Sequence, residues 1–534
     1  MELLKKVSWD AKKYGKFSPL IRDYLNGAEE TFSLYAEFPS ESGLISQAKE
    51  KLQNYQHREV TYQALKNQLS NLGLSLKQTE NLEKFRLSNS VTITTGHQLN
   101  LLTGPLYFFH KILQVLKSCE VMNQNHPEFN FIPVFWMATE DHDFEEINHF
   151  YFKNQKFVWQ KEAVGAVGRL NLDGIETVFQ NFFQYLPESL NAKSLRELIE
   201  SSYLSSKTLT EATKKLVHQL FGERGLLLID GDDKELKKLM IPAFEEDLLE
   251  NTAFQIIEKT NQILSKNNYS IQVNPREINL FYLGEGNIRE RIVLENGSYQ
   301  ILNSAFSFSK EEILQELNSN PEKFSPNVIL RPLYQETILP NICYIGGSGE
   351  IAYWLQLKAF FDSQNVLFPM ISVRNSLLLL SEKQHSKLEK LNLGYEDLFL
   401  PLYELVNQNV RENSDSDIDF EVYESQLQKI FDELDTKATQ TDVSFSKMVN
   451  AQRTKQLKGL EKMKKRLLRA EKIKHSERVE RIETLYSELF PNGNLQERIT
   501  NFSEFWLEYG LDLIEMIYYE IQPVEFRFTI KTLP

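Results

Sequence analysis

Short, unbroken apolar runs that stop at glycine or acidic residues constrain this chain more than any other feature. Phe131-Ile132-Pro133-Val134-Phe135-Trp136-Met137 stops just before Glu140, and Leu226-Leu227-Leu228-Ile229 stops at Asp230-Gly231-Asp232-Asp233. Ile342-Cys343-Tyr344-Ile345 stops at Gly346-Gly347-Ser348-Gly349, the run 366–371 stops near Arg374, and the β-branched Val91-Thr92-Ile93-Thr94 ends at Thr95-Gly96. Runs of this length without polar alternation suit strands buried on both faces, and helical patterns separate them. The expectation is an α/β fold with a Rossmann-like, mostly parallel sheet core. Ligands of such sheets bind beyond the carboxyl ends of the strands, where each polar cluster falls.

The chain has 534 residues, and at about 150 residues per domain this is three to four domains. Hydrophobic residues make up 41% and charged residues 25%, which excludes collagen-like, disordered and disulfide-scaffold classes. A formal charge of −14 repels polyanions, so nucleic acid is not an expected partner. Cys119 and Cys343 alone support neither a disulfide framework nor a cysteine-rich zinc site, and a reducing cytosol fits. The first ten residues hold no signal-type apolar core, and no run reaches the roughly 18 apolar residues of a membrane span. A cytoplasmic location with no membrane partner is expected.

Residues 1–85 read as an N-terminal helical segment packed on the core, and 86–160 as the first part of that core, a βαβ unit. Too much chain separates the next strands for simple crossovers, so 161–220 and 246–325 are expected as inserted connecting domains around a core segment at 221–245. The last core part is 326–380, carrying the glycine-rich loop. Residues 381–490 read as a long α-helical coiled-coil domain, with an acidic loop around Asp415, Asp417 and Asp419, and 491–534 as a C-terminal segment. From Lys447 to Leu489 apolar residues step by threes and fours in a helix too polar to lie on one core. A coiled-coil hairpin or a dimer contact would explain it. Between Lys455 and Arg481 eleven Lys or Arg face four Glu, a solvated face or an anion-binding one.

Three segments could carry chemistry. Thr94-Thr95-Gly96-His97-Gln98 lies between a strand end and a helix opened by Gly104-Pro105, where free N–H groups can meet an anion; it could equally be a plain turn, and His110-Lys111 follows on that helix. Residues 138–149 gather five carboxylates and two imidazoles, including Glu140, Asp141, His142, Asp143 and His149. They could bind a metal, hold a hydroxyl-rich or amine substrate, or act as bases, while Glu145 and Glu146 could merely oppose a helix dipole. Gly347, Ser348, Gly349 and Glu350 could form an anion nest or a tight packing turn. Arg331 and Arg374, near strand ends, suit carboxylates or phosphates. HExxH, CxxC, GxxxxGK[ST] and GxSxG are all absent, so no metal ligands are assigned.

Taken together these blocks resemble the bacillithiol-biosynthesis cysteine-adding enzyme family. The match covers Asp23-Tyr24-Leu25, the block 95–98 with 102–107 and His110-Lys111, Pro133-Val134-Phe135-Trp136 with 140–146, Asn274-Pro275-Arg276-Glu277, and Leu330-Arg331-Pro332 with 347–354. His97 departs from the glutamine found in many relatives. The resemblance implies a nucleotidyltransferase-like core with connecting-peptide insertions and a coiled coil supporting a homodimer. It also implies a ligase joining the carboxyl group of cysteine to the amine of glucosaminyl malate. Amide formation from a free carboxylate in water is uphill, so activation by ATP with Mg²⁺ is expected. On this basis Gly96, His97, Gln98 and Gly347 to Gly349 are expected at anion or nucleotide contacts, Glu140 to Asp143 at the amine, sugar hydroxyls or Mg²⁺, Arg331 and Arg374 at the malate, and His142 as general base. Rival expectations are a metal-dependent hydrolase centred on His142, Asp143 and His149, and a coiled-coil scaffold.

Overall fold

The computed structural model describes residues 5–414 and 420–534. The chain forms two compact units, one of Ser8–Leu378 with Gln496–Thr529, the other built on Leu379–Leu495 with Ile530–Pro534.

The first unit is organised by a five-stranded sheet of β1 (Ser90–His97), β2 (Asn130–Met137), β3 (Leu227–Asp230), β4 (Asn341–Gly346) and β5 (Met370–Val373), in the order β3-β2-β1-β4-β5. Every pairing is parallel. All eight residues of β1 are buried, as expected for a strand covered on both faces. Its buried threonines are satisfied across the sheet, Thr92 and Thr94 donating to Asn341 Oδ1 at 3.2 and 2.8 Å. The chain builds outward from β1 through β2 to β3, then returns to the other side of β1 for β4 and β5. The order therefore reverses between β1 and β4, and a crevice opens at their carboxyl ends. The last strand begins later than its apolar run, because Pro369 has no N–H for the ladder.

Helix α1 (Tyr107–Asn125) crosses from β1 to β2 and is buried on nearly every side between residues 108 and 119. One face meets the sheet, and the C-terminal stretch covers the other, with Phe502 4.8 Å from Phe109 and Lys117 Nζ donating to Tyr518 O at 2.9 Å. Residues 496–529 thus belong to the core unit. The N-terminal helices are pinned by polar reach, Lys51 Nζ and Tyr55 OH each donating at 2.6 Å to the carbonyls of Glu336 and Ile338.

Two long excursions interrupt the sheet. Between β2 and β3 come a hairpin (His149–Phe152 with Gln155–Val158) and several helices. Between β3 and β4 comes a five-stranded antiparallel sheet that includes Leu280–Gly284, Ile288–Glu295 and Phe324–Pro326.

In the second unit, helices Glu421–Ala438 and Val443–Lys474 form a hairpin around Phe431, Ala438 and Val449. Asp442 caps the second helix, accepting from Ser444 N and Phe445 N at 2.6 and 3.0 Å. The continuous pattern to Leu489 is broken at His475, after which Ser476–Leu489 forms its own helix. Asp415, Asp417 and Asp419 of the expected acidic loop lie outside the described residues. Among the described residues no helix is long and apolar enough to cross a membrane.

Candidate active site

A cavity of about 600 Å³ opens at the reversal point between β1 and β4. From the sequence-derived candidates, Gly96, His97, Gln98, Lys111, Glu140, Asp141, His142, Arg331 and Glu350 line it.

The β1 end supplies backbone and a neutral imidazole. Lys111 Nζ, on α1, donates to Gly96 O at 2.8 Å and pairs with Glu350 Oε1 at 2.6 Å, tying the ends of β1 and β4 together. His97 is 9% exposed, its ring edge-on to Tyr107 at 5.4 Å. Burial, then the charges of Lys111 and Arg374, hold its pKa well below the ordinary value, so the ring is neutral. Gln98 Nε2 donates to Asp141 Oδ2 at 2.7 Å and Glu146 Oε2 at 2.8 Å, locking the loop after β2.

That loop carries the acidic cluster and is clamped from the first insertion, Val167 N donating to Asp141 O at 2.7 Å and Gly168 N to Thr139 O at 2.8 Å. Position 168 has to be glycine for this approach, since a Cβ there would lie 2.6 Å from Thr139 Cβ. Glu140 is buried against the ammonium of Lys237, on the short helix Lys234–Lys238. Burial raises the Glu140 carboxyl to about 7; Lys237 pulls it down and Asp232 pushes it up. Asp232 in turn is held by Arg169 through two bonds of 2.7 Å. Asp141 Oδ1 accepts from His142 N at 2.7 Å. His142 is half-exposed, and its Nδ1 lies 2.8 Å from Arg289 Nη1. The ring nitrogen that a base would use is thereby occupied by a permanent donor.

At the β4 end Glu350 closes a capping box on Gly347 N at 3.0 Å and accepts from Tyr344 OH at 2.8 Å. Burial alone would raise its pKa, but Lys111, joined by the bonds from Gly347 N and Tyr344 OH, overcomes burial and holds the carboxyl below its ordinary range. Arg331 lies 5.9 Å from the ring centres of both Trp136 and Tyr344, and donates to Gln335 Oε1 at 3.1 Å. A guanidinium has five N–H donors, so capacity remains for a ligand.

Several candidates stand outside the lining. Thr95 Oγ1 donates to Ile345 O at 2.7 Å as a cross-strand bond. Asp143 caps a helical turn, accepting from Glu146 N at 3.3 Å. Gly347, Ser348 and Gly349 form a turn whose anion position is filled by the chain's own Glu350. His110 Nδ1 and Arg374 Nη2 both donate to the buried Glu497, at 2.9 and 2.7 Å, in a structural network. His149 is absent from the cavity lining and leans on the Tyr151 ring, 5.7 Å between centres. Among the described residues no group of three or more His, Cys, Asp or Glu is placed to hold a metal ion. Tyr353, which the sequence places as a wall beside the glycine-rich turn, lines the cavity, as do Arg276 and Arg289, which the sequence gives no reason to prefer over other basic residues; Tyr344 in the lining and Lys237 behind Glu140 carry no sequence signal of their own. The local hints are the basic groups Asn274-Pro275-Arg276-Glu277 and Arg289-Glu290-Arg291.

Fold and cavity together define a Rossmann-like protein with a cavity at its topological switch point, the place where such sheets bind ligands. The description "Bacillithiol biosynthesis BshC, N-terminal Rossmann-like domain" matches residues 4–375, and that of the family's C-terminal coiled-coil domain matches 377–533. The chain is similar to proteins named "Putative cysteine ligase BshC". It is 48% identical to that of Flavobacterium johnsoniae (97% of this chain, 98% of the relative), 48% to that of Flavobacterium psychrophilum (97% and 98%) and 46% to that of Christiangramia forsetii (98% of each). The chain belongs to the BshC family of bacillithiol biosynthesis.

Proposed function

We propose that the cavity at the β1–β4 switch point is where this ligase of bacillithiol synthesis joins the carboxyl group of cysteine to the amine of glucosaminyl malate. One observation carries the assignment: a single cavity combines a buried carboxyl poised near neutral pH, Glu140, with an aromatic-flanked arginine, Arg331. An amine nucleophile must shed a proton to form an amide, and a base works best when its pKa lies near the working pH. Glu140 is assigned that proton. Arg331 is assigned a malate carboxylate, for which its planar fork is suited.

ATP with Mg²⁺ is the proposed source of carboxyl activation, converting the carboxylate oxygen into a leaving group. The turn at Gly347 to Gly349 does not fit its phosphates, because Glu350 already occupies that helix start with a carboxylate. No residues there are assigned to a nucleotide.

The proposal includes a cytoplasmic location and a homodimer formed through the coiled coil. Supporting the dimer, Val422, Tyr423 and Ile430 stand 60, 58 and 55% exposed on the hairpin helix Glu421–Ala438. Incubating the pure protein with glucosaminyl malate, cysteine and each nucleoside triphosphate in turn, then seeking the ligated thiol by mass spectrometry, tests the function. Product with one nucleotide and none without is expected. Product without any nucleotide would refute the activation step, and no product under any condition would refute the assignment.

A further inference from the structure

His142 stands on the cavity wall with one ring nitrogen committed. Arg289 Nη1 lies 2.8 Å from its Nδ1. A guanidinium offers N–H donors only and keeps its charge, so Nδ1 accepts, and the neutral ring carries its proton on Nε2. The neighbouring carboxylate does not compete, since Asp141 Oδ1 is 3.7 Å from Nδ1, beyond hydrogen-bond range.

Arg289 is itself immobilised on three sides. Its Nε donates to Ser325 Oγ at 3.0 Å, its Nη2 donates to Pro326 O at 3.2 Å, and its guanidinium carbon stacks 3.9 Å from the centre of the Phe281 ring. The side chain is only 8% exposed. The His142 ring leans on the same phenyl ring at 5.5 Å. Thus an arginine from the antiparallel insertion, anchored through two of its other N–H groups, extends one N–H to a histidine from the loop after β2. The arrangement dictates the tautomer and leaves about half of this cavity-lining side chain exposed.

We infer that Arg289 is a positioning residue that holds His142 as its Nε2–H tautomer, so that His142 donates a hydrogen bond to the acyl-donor oxygen that gains negative charge during amide formation. This inference rests on the proposed function and deepens it. No bond to His142 forms or breaks. The amine proton goes to Glu140, and the imidazole stabilises charge as a fixed donor, the class of interaction whose removal costs about 10²–10³ in turnover.

Full-length protein labelled with ¹⁵N-histidine has only nine histidines to resolve, and long-range ¹H–¹⁵N spectra distinguish the two tautomers. The His142 signal is assigned by its loss in His142→Gln. The Nε2–H tautomer is expected in the parent protein and in Arg289→Lys, and a mixture or the Nδ1–H form in Arg289→Met. A parent protein in the Nδ1–H form, or an unchanged tautomer in Arg289→Met, would overturn the inference. In the ligation assay His142→Ala should lose about 10²-fold in kcat. His142→Gln, which keeps an N–H donor but can take no proton, should recover most of that loss. A glutamine variant as inactive as alanine would also overturn the donor role. The two levels separate cleanly: absence of ligated thiol with the parent protein sinks the functional assignment, whereas active parent protein with an unmoved tautomer sinks only the inference.

Discussion

Replacing Glu497 with alanine strands four buried donors at once. The carboxylate is 1% exposed, and it accepts from Arg374 Nη2 at 2.7 Å, His110 Nδ1 at 2.9 Å, Ser376 Oγ at 3.0 Å and Leu377 N at 3.2 Å. The arginine bond is charge-assisted, worth about 1.5–3 kcal/mol, and breaking a buried pair by removing one partner costs about 3–5 kcal/mol. Glu497→Ala should therefore destabilise the core unit by about 3–5 kcal/mol. Tryptophan fluorescence during urea unfolding reports that unit selectively, because Trp9, Trp136, Trp159, Trp354 and Trp506 all lie within it. Burial alone would raise the Glu497 pKa, but Arg374 and His110 override it and hold the group far below the ordinary carboxylate range. Its contribution is thus present above the unfolded-state pKa and is lost only as pH falls through the depressed folded value. The gap between variant and parent should stay constant from pH 8 to 5 and close under strong acid. Replacing the pair together, Glu497→Leu with Arg374→Met, should cost far less than the single change. A loss below about 1 kcal/mol for Glu497→Ala would refute a structural role for Arg374 and reopen it as a substrate ligand.

Other consequences concern turnover. Glu140 must be ionised to accept a proton, so kcat/KM should rise with pH through about 7, and Glu140→Gln should lower kcat by about 10²–10⁴ while abolishing that limb; a limb that persists in the variant contradicts the assignment. Lys237→Met removes the charge that pulls the Glu140 pKa down, so the limb should move to higher pH, and a shift to lower pH would contradict the pairing. Arg331→Ala should raise KM for the malate-bearing acceptor by about 10–150-fold, the equivalent of about 1.5–3 kcal/mol, with Arg331→Lys recovering only part. An unchanged KM would move the malate elsewhere.

The strands were legible because a parallel sheet buried on both faces concentrates apolar and β-branched residues, as in β1 and β2. Their order was not, since nothing local says that β4 returns to the free side of β1. The loop at Glu140 to His142 was visible as acidic density after an apolar strand. Its partners were invisible because Lys237 and Arg289 reach it through tertiary docking of a short helix and an insertion sheet. Arg374 shows the same limit in reverse: a basic residue at a strand end invites a ligand, yet its carboxylate comes from Glu497, 123 positions onward. The glycine-rich turn reads from sequence as either an anion nest or a tight packing turn, and the side chain three residues later decides between them by capping Gly347 N itself.

Where glucosaminyl malate binds is decided most directly by a crystal structure of the full chain grown with that acceptor. Density at the β1–β4 crevice is expected, with a malate carboxylate within hydrogen-bond distance of Arg331 and the glucosamine nitrogen within reach of Glu140. Density for the acceptor anywhere else, with the crevice holding solvent alone, would contradict the assignment.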